Sequence, residues 1–293
     1  MFGSHLSIAG GMVNALNEAE SLTLDTVQVF TKNQRQWRIT PLKHEDREQW
    51  LEKLGQLGWQ HRTVAHDSYL INLASPDDEL WNKSIDLMHE ELTRAEALSI
   101  RYLVSHPGAY TSSSPEEGIR RIALAYKQLF DDIPFSESSS PILCLENTAG
   151  GGSTLGRTLE ELAEIRSLII EESGQSASNR VGYCLDTCHA FAAGYDIRTD
   201  EGARSFLDEA DRVLGLSNVR VLHLNDSQGD LGSHRDRHAH ISKGLIGLEG
   251  FAPFVNDPRL SQTPKILETP KGTTDKGTPY DTLNLRRLRR LMR

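Results

Sequence analysis

Short runs of β-branched or aliphatic residues recur along the chain, and each run ends on a polar side chain able to bind a metal ion. Successive run ends are 40, 40, 40, 37 and 45 residues apart and fall at His66, His106, Glu146, Asp186, His223 and Glu268. The segments between them repeat apolar residues with helical spacing. Runs at residues 2–5 and 26–30 add two upstream units. Eight strand and helix units predict an α/β fold, a (β/α)8 TIM barrel, with the ligand-bearing strand ends at its C-terminal face.

No shift in composition divides the chain, so we expect a single TIM-barrel domain over residues 1–293. Ser114 before Pro115, and Thr158 with Glu161 three residues later, predict the starts of two outer helices. Residues 270–282 are typical of a loose connection. The basic tail that follows is expected to be the eighth outer helix with a solvated arginine face rather than a nucleic-acid-binding arm.

Charge and cysteine content narrow the class of protein. A net charge of −9 argues against a general nucleic-acid coat protein, because phosphate contacts need clustered Lys and Arg. It does not exclude nucleic acid, since bound cations can invert the sign of a carboxylate-lined face. Three cysteines argue against a disulfide framework. No apolar run reaches the roughly 18 residues of a membrane span, and no signal-peptide pattern opens the chain, so we expect a soluble intracellular protein.

The stretch CLDTCHAF, residues 184–191, contains four side chains able to bind a metal ion. It could belong either to a structural zinc module or to a catalytic site. Alternate residues of a barrel strand share a face, which places Cys184 one layer below Asp186, and Cys144 stands in the same relation to Glu146. A closed zinc site would need a second Cys pair, which the sequence lacks. We therefore expect Asp186 and His189 to be the ligands and the cysteines to be small apolar filler.

A larger set of candidate ligands is expected at the same level of the barrel. DRH, residues 236–238, adds two side chains in the loop after the seventh strand. The predicted metal ligands are His66, His106, Glu146, Asp186, His189, His223, Asp236, His238 and Glu268. Five imidazoles and four carboxylates without a thiolate favour open catalytic zinc or manganese sites. Nine ligands exceed the need of one ion, and sites with two or three ions typically act on phosphorus.

At these residues the chain resembles the endonuclease IV family of apurinic/apyrimidinic (AP) endonucleases. The resemblance runs from GSHLSIAGG through FTKNQRQW, HDSYLINLASP, HPGAY, LENTAGGGSTLG, DTCHAFAAGYD, HLNDS, DRH and ILET, over about residues 3–270. It implies three zinc ions, one of them replaceable by manganese. The matching positions group as His66, His106 and Glu146 for the first ion; Glu146, Asp186, His223 and Glu268 for the second; and His189, Asp236 and His238 for the third.

The resemblance also implies an activity and a substrate. The expected reaction is hydrolysis of the phosphodiester on the 5′ side of an abasic site in double-stranded DNA, leaving a 3′-hydroxyl and a 5′-deoxyribose phosphate, with repair of blocked 3′ ends as a second activity. Glu146 would be catalytic as well as a ligand. We expect a monomer that works in the bacterial cytoplasm with the nucleoid, or in the nucleus of a eukaryote.

Loops at the same face supply the predicted DNA contacts. By resemblance, Arg35, Tyr69 and Leu70 occupy positions whose side chains push into the base stack. A further set at the same level is expected to touch phosphates and comprises Lys32, Arg38, Arg235, Arg237 and Lys271. Two places depart from the family pattern, namely Ser242 and Lys243 where a Gly-x-Gly is expected, and the long segment 270–282.

Two other functions remain open from the sequence. Glu146, Asp186, His223 and Glu268 alone are the single-metal set of xylose-isomerase-like sugar isomerases and epimerases, which do not require the other five ligands. A non-catalytic lesion-binding protein would keep the DNA-binding loops without turnover. The Gly-rich stretch 151–158 only loosely resembles a phosphate loop, because Arg157 stands where that motif has lysine.

Overall fold

Eight parallel strands form one sheet in the computed structural model, which describes residues 1–293. In chain order the strands are β1 (Phe2–Ser4), β2 (Gln28–Phe30), β3 (Val64–His66), β4 (Tyr102–Ser105), β5 (Ile142–Glu146), β6 (Val181–Asp186), β7 (Val219–His223) and β8 (Lys265–Leu267). Neighbours in the sheet follow the order β1, β8, β7, β6, β5, β4, β3, β2. A single parallel bridge between His5 and Gln28 joins β2 back to β1. The predicted TIM barrel is therefore confirmed.

Helices alternate with the strands and surround the barrel. They are α1 (Val13–Ser21), α2 (His44–Leu57), α3 (Asp78–Ala97), α4 (Pro115–Asp132), α5 (Leu159–Ser173), α6 (Thr187–Ala193), α7 (Asp200–Leu214), α8 (Ala252–Asn256) and α9 (Tyr280–Arg289). The predicted final helix is α9. It starts earlier than expected and buries Leu285 and Leu288 beneath its arginines.

Both predicted helix starts are present. Ser114 Oγ accepts the amide hydrogen of Glu117 at 3.3 Å, and Thr158 Oγ1 accepts that of Glu161 at 3.1 Å. The carboxylate of Glu161 does not complete a reciprocal box with Thr158. It accepts the amides of Gly156 and Arg157 at 2.5 and 2.8 Å and so braces the Gly-rich loop ahead of α5. Satisfying these otherwise unpaired amides holds the loop against the helix end.

Apolar side chains fill the inside of the barrel below the C-terminal face. This inner layer consists of Val64, Val104, Ile142, Cys144, Cys184, Val221 and Ile266. Both cysteines are fully buried there, which agrees with the prediction that they pack as small apolar residues. Strands β1 and β2 are shorter than the predicted runs 2–5 and 26–30, because the two strands share only one bridge. A filled interior leaves the strand ends as the place where polar side chains can converge.

Candidate metal centre

The nine predicted ligands meet at the C-terminal face of the barrel. Residues of β3, β5, β6 and β7 lie at the last position of their strands, while His106 and Glu268 follow β4 and β8 directly. His189 lies in the first turn of α6, whose N-cap is Asp186. The Asp186 carboxylate accepts the His189 amide hydrogen at 2.9 Å, so one cap holds both side chains in the same turn. Asp236 and His238 come from the loop after β7, where residues 238–239 pair with 226–227 as a short antiparallel ribbon.

Five groups of side chains bring their ligand atoms within 4.8 Å of one another. Two of them include Cys184 or Cys188, and the other three consist of imidazoles and carboxylates alone. We name them the His66 group (His66, His106, Glu146), the Glu268 group (Glu146, Asp186, His223, Glu268) and the Asp236 group (His189, Asp236, His238). These are the groupings that the family resemblance implies. Glu146 belongs to two of them, which makes its carboxylate the centre of the site.

Distances around Glu146 show how closely the first two groups share it. One carboxylate oxygen lies 3.2 Å from His66 Nε2 and 3.1 Å from His106 Nε2. The other lies 2.8 Å from His223 Nδ1. The same His223 nitrogen is 3.2 Å from Glu268 Oε2. Glu146, Asp186 and His223 are fully buried, so charges at this point act with little screening by water.

The Asp236 group lies at the rim. Asp236 places its two oxygens 3.2 Å from His189 Nε2 and 3.2 Å from His238 Nε2. Its side chain is about half exposed, whereas His189 is buried. The Asp236 group is therefore open on its Asp236 side, toward the loops. A large substrate would approach from that side.

Ring orientation tests whether the imidazoles fit a metal. His66, His189 and His238 each direct Nδ1 to a backbone carbonyl, those of Asp67, Asn147 and Glu268, at 3.1, 2.9 and 3.2 Å. This leaves Nε2 of each ring aimed at the carboxylates. Nε2 of His189 and of His238 is buried, and although each lies 3.2 Å from an Asp236 oxygen, neither has the alignment of a hydrogen bond. Buried polar atoms rarely lack partners, so these nitrogens fit the lone-pair donors of a metal site.

Electrostatics holds the carboxylates in their charged form. Burial alone would raise the pKa of Glu146, but the neighbouring His223 and His106 outweigh it and hold that pKa well below its ordinary value. Burial opposes the charged form of Glu268 in the same way, and His223 again keeps its pKa well below the usual range. The pKa of Asp236 falls to about 2, because His189 outweighs the cost of burial. Ionised carboxylates are the form that binds metals.

The thiols show the opposite behaviour. Burial raises the pKa of both Cys184 and Cys188 to about 12. Metal ligation requires a thiolate, which is disfavoured in such apolar surroundings. Cys188 Sγ instead donates to the carbonyl oxygen of Arg237 at 3.6 Å. Neutral, buried thiols are consistent with the expectation that imidazoles and carboxylates are the metal-binding donors.

Buried amide side chains that the sequence analysis missed hold several ligands in place. Asn225 Nδ2 donates to Asp186 Oδ2 at 2.6 Å, and Asn225 Oδ1 accepts the Glu268 amide at 2.8 Å. Asn147 Oδ1 accepts the Asp186 amide at 2.6 Å. A further amide, that of Gln28, reaches two ligands from β2. The signal in the sequence was a glutamine inside the apolar run TVQVF.

Two clefts flank the centre, and Tyr69 lines both. One has a volume of about 670 Å³ and extends from His238 and Glu268 to Lys271, while the other measures about 370 Å³ and reaches His106 and Asp236. Tyr69 is 61% exposed, which is unusual for a large aromatic residue. Its ring packs edge-on against Phe30 at 5.5 Å. Leu70 is partly buried beside it.

The loop of residues 31–38 carries Arg35 at the surface and Lys32 inside. Lys32 is only 8% exposed. Its Nζ donates to the carbonyl oxygens of Asn33 and Gln36 at 3.3 and 3.0 Å and lies 3.9 Å from Glu91 Oε1. Glu91 also accepts a hydrogen bond from Thr31. Lys32 thus supports the shape of this loop from within.

The remaining side chains predicted to touch phosphates differ in their exposure and in their ion pairs. Arg38, Arg235 and Arg237 are exposed. Lys271 is about half exposed and donates to Asp281 at 3.0 Å and to Ser4 Oγ at 2.6 Å. That ion pair fastens the start of segment 270–279 to α9, so the segment has a firm anchor despite its loose composition.

The departure from the family pattern at Ser242 has a structural consequence. Ser242 has a φ of 63°, the left-handed region that favours glycine, so the serine carries a backbone strain of about 1 kcal/mol. Two residues later only glycine fits, because a Cβ at Gly244 would lie 2.3 Å from the carbonyl oxygen of Ser227. His240 stacks on Tyr280 with ring centroids 4.2 Å apart and receives a hydrogen bond from Asn284, away from the ligand groups.

Comparisons with known proteins agree with this geometry. Residues 16–290 match the family model described as xylose isomerase-like TIM barrel. The chain is 46% identical to probable endonuclease 4 of Chloroflexus aurantiacus, with 99% of this chain and 98% of that protein covered. It is 44% identical to probable endonuclease 4 of Geobacter sulfurreducens, with 99% and 94% covered. No helix combines the length and apolar character needed to cross a membrane.

Solved structures resemble this chain either in both sequence and fold or in fold alone. Endonuclease IV from Thermus thermophilus matches with a TM-score of 0.83 and 39% identity, covering 99% of this chain and 98% of that one. A D-tagatose 3-epimerase-like protein matches with a TM-score of 0.69 at 16% identity, covering 99% and 96%, which shows a shared barrel fold alone. Full-length identity well above that of the epimerases decides between them: this chain belongs to the endonuclease IV family.

Proposed function

We propose that this protein is a metal-dependent AP endonuclease of base excision repair. It hydrolyses the phosphodiester on the 5′ side of an abasic site, leaving a 3′-hydroxyl and a 5′-deoxyribose phosphate, and also clears blocked 3′ ends. The observation that carries the proposal is the complete set of three ligand groups around Glu146 in a chain 46% identical to probable endonuclease 4 over its whole length. We further propose that it acts as a monomer, because a duplex docking on the open face of one barrel needs no second subunit.

Three zinc ions per chain fit the donors best, with manganese acceptable in place of one of them. The His66 group, the Glu268 group and the Asp236 group would each hold one ion, and Glu146 would serve two. Mixed imidazole and carboxylate donors with no thiolate are typical of catalytic rather than structural zinc. Bound at these positions, divalent cations lower the pKa of water and offset negative charge on a phosphodiester.

The protein's own residues orient the reacting groups. Glu146 keeps a fully buried carboxylate ionised at the centre of the cluster, where it would bind cations and orient the attacking water. Asp236 and His238 face the rim, where the leaving 3′ oxygen would lie. No serine, cysteine or lysine nucleophile is required, which is consistent with the neutral thiols of Cys184 and Cys188.

Recognition of the abasic site would depend on the loops around the centre. Tyr69 projects between the two clefts, and together with Leu70 and Arg35 it would enter the base stack and stabilise an extruded nucleotide. Extrusion costs a few kcal/mol and least where a base is missing, which favours abasic sites over intact DNA. Arg237, Arg38 and Arg235 would touch phosphates, and Lys32 would contribute by holding the loop that presents Arg35.

A single-metal sugar epimerase is the second candidate, because the Glu268 group alone matches that chemistry and the epimerase fold is shared. The other two groups argue against it. An epimerase would bind one cation per chain, whereas the proposed endonuclease binds three. A lesion-binding protein without turnover would bind an abasic duplex and leave both strands intact.

The decisive experiment is a cleavage assay on a duplex that carries one tetrahydrofuran abasic analogue, with the same duplex bearing an intact base as the control. We expect one nick on the 5′ side of the analogue, a 3′-hydroxyl that a polymerase can extend, and no cleavage of the control. Binding without a nick would support the lesion-binding alternative. Neither binding nor a nick, together with one cation per chain, would favour the epimerase.

The stabilisation of the protein by zinc is expected to grow as the pH rises. Burial would lower the pKa of His66 and His189, but Asp67 and Glu146 outweigh it for His66, and Asp186 and Asp236 for His189, so both values are raised. Protonated rings therefore stabilise the metal-free protein below about pH 6.5, and this contribution is lost as the pH rises through the raised values. Zinc binds only the deprotonated rings.

The measurement is the increase in Tm on adding zinc, recorded from about pH 6 to about pH 8, with proton release followed by calorimetry in buffers of different ionisation enthalpy. The increment should be larger at the higher pH, and protons should be released on binding. An increment that is constant over this range would contradict the assignment of these imidazoles as ligands.

A further inference from the structure

Gln28 is a fully buried polar residue in β2, between the apolar Val27 and Val29. Its amide extends across the barrel toward β7 and β8, which lie on the far side of β1 in the sheet. There it lies between two members of the Glu268 group, His223 and Glu268. Burying an unpaired amide costs free energy, so the contacts it makes define its role.

The amide makes three contacts that assign its orientation. Gln28 Oε1 lies 2.8 Å from His223 Nε2, and Gln28 Nε2 donates to Glu268 Oε1 at 2.7 Å. The second amide hydrogen reaches His5 Nδ1 at 2.9 Å. Turning the amide over would place its oxygen against the Glu268 carboxylate, where two acceptors would repel. The carbonyl oxygen must therefore face His223.

This orientation decides which nitrogen of His223 carries hydrogen. Because Gln28 Oε1 can only accept, His223 Nε2 must be the donor. In the neutral ring, which is the form that binds a cation, the lone pair therefore lies on Nδ1. Nδ1 is the nitrogen that lies 2.8 Å from Glu146 and 3.2 Å from Glu268. In His66, His189 and His238 the corresponding outer nitrogen pairs with a backbone carbonyl. For His223 the partner of the outer nitrogen is instead a side chain, that of Gln28, which a substitution can remove.

Gln28 also lies at the junction of β1 and β2, two strands that share only one parallel bridge. The bridge between His5 and Gln28, with the Leu6 amide donating to the Gln28 carbonyl oxygen at 2.9 Å, joins β2 to β1. The backbone of this residue thus closes the barrel, while its side chain links β2 to ligands on β7 and after β8. One residue couples the closure of the sheet to the placement of two ligands.

We propose that Gln28 is a positioning residue of the Glu268 group: it fixes the tautomer of His223 and the direction of the Glu268 carboxylate, and so sets the affinity of this group for its cation. The inference rests on the proposed metal centre. Partners of this kind usually change metal affinity by about 10-fold to 100-fold when they are removed.

Two substitutions separate the contacts. Gln28→Leu removes all three amide contacts at similar volume. Gln28→Glu keeps an acceptor for His223 but opposes Glu268 with a second carboxylate. Thr26→Val is the matched control, because it removes one buried hydrogen bond from the same strand segment, that of Thr26 Oγ1 to the Arg62 carbonyl oxygen at 2.6 Å, away from the ligands. Thermal unfolding in chelator measures the purely structural cost of each change.

Zinc affinity is measured by competition with a chromophoric chelator. The His223 tautomer is measured by the ¹⁵N shifts of its ring in metal-free protein, at a pH high enough for the ring to be neutral. For Gln28→Leu we expect one of three zinc ions to bind about 10-fold to 100-fold more weakly and the His223 ring to show mixed tautomers. Gln28→Glu should weaken that ion while keeping hydrogen on Nε2, and Thr26→Val should change neither. Wild-type affinity for all ions in Gln28→Leu, or an unchanged tautomer signature, would overturn the inference.

The wild-type protein separates this inference from the proposed function. If wild type takes up no zinc or only one ion, the proposed three-ion centre fails. If wild type takes up three ions and Gln28→Leu takes them up with equal affinity, only the role of Gln28 fails.

Discussion

Replacing Glu146 with glutamine is expected to lower kcat on an abasic duplex by about 10³-fold, while the Kd for that duplex changes by no more than about threefold. The carboxylate contacts imidazoles of His66, His106 and His223 at 3.2, 3.1 and 2.8 Å, and Glu146 belongs to both the His66 group and the Glu268 group. An amide carries no charge, and its NH2 group cannot bind a cation. Binding should persist because Arg35, Tyr69 and Leu70 lie outside the cluster.

Single-turnover cleavage and fluorescence anisotropy measure the two quantities, and metal analysis of the variant shows how many cations remain. Glu161→Gln is the control, since its carboxylate lies at the same face but bonds only to the amides of Gly156 and Arg157. The control should keep wild-type kcat. A Glu146→Gln protein with kcat within about tenfold of wild type would refute a central role for this carboxylate.

Removing metal ions by prolonged chelation is expected to abolish cleavage and to lower thermal stability, with both restored by zinc. Each cation present at about 1,000 times its Kd adds about 4 kcal/mol to the free energy of unfolding. The loss of stability should be large, because four carboxylates remain gathered around buried positions. The fold itself should persist, since the barrel interior below the site is filled by apolar side chains.

Differential scanning calorimetry, far-UV circular dichroism and the abasic cleavage assay follow the protein before chelation, after it, and after zinc, manganese or magnesium is returned. Zinc should restore activity most fully, and magnesium should not, because imidazole-rich sites favour zinc. Full cleavage by protein in which metal analysis finds no cation would refute the metal-dependent mechanism. Loss of circular dichroism on chelation would instead show a structural role for the ions.

Much of the candidate metal centre could be predicted from the spacing of residues in the sequence. Ligands at the ends of β3, β5, β6 and β7 lie at one level because parallel strands of a barrel present their carboxyl ends to the same face. Alternation along β6 separated Asp186 from Cys184, and the structure buries the cysteine in the inner layer. Helix starts at Ser114 and Thr158 could also be predicted, because a capping hydroxyl bonds to an amide three residues later.

Other features depend on contacts between distant segments. Lys32 looked like a phosphate contact in an exposed loop, yet Glu91 on α3 and the carbonyl groups of its own loop enclose its amine. Lys271 was also expected to touch a phosphate. It pairs with Asp281 and still lines the larger cleft. Neither partner is close enough in sequence for local spacing to indicate it.

By itself the sequence determined the barrel, the level at which the ligands meet and the chemical type of their donors. These follow from periodicity and residue identity, which are local properties. Only the tertiary structure decided which imidazole nitrogen faces the centre, which lysines are enclosed and which amide holds each ligand. Gln28 and Glu268 are 240 residues apart in the chain but 2.7 Å apart between their atoms. Closure of the barrel creates such contacts, because it brings the first strands against the last.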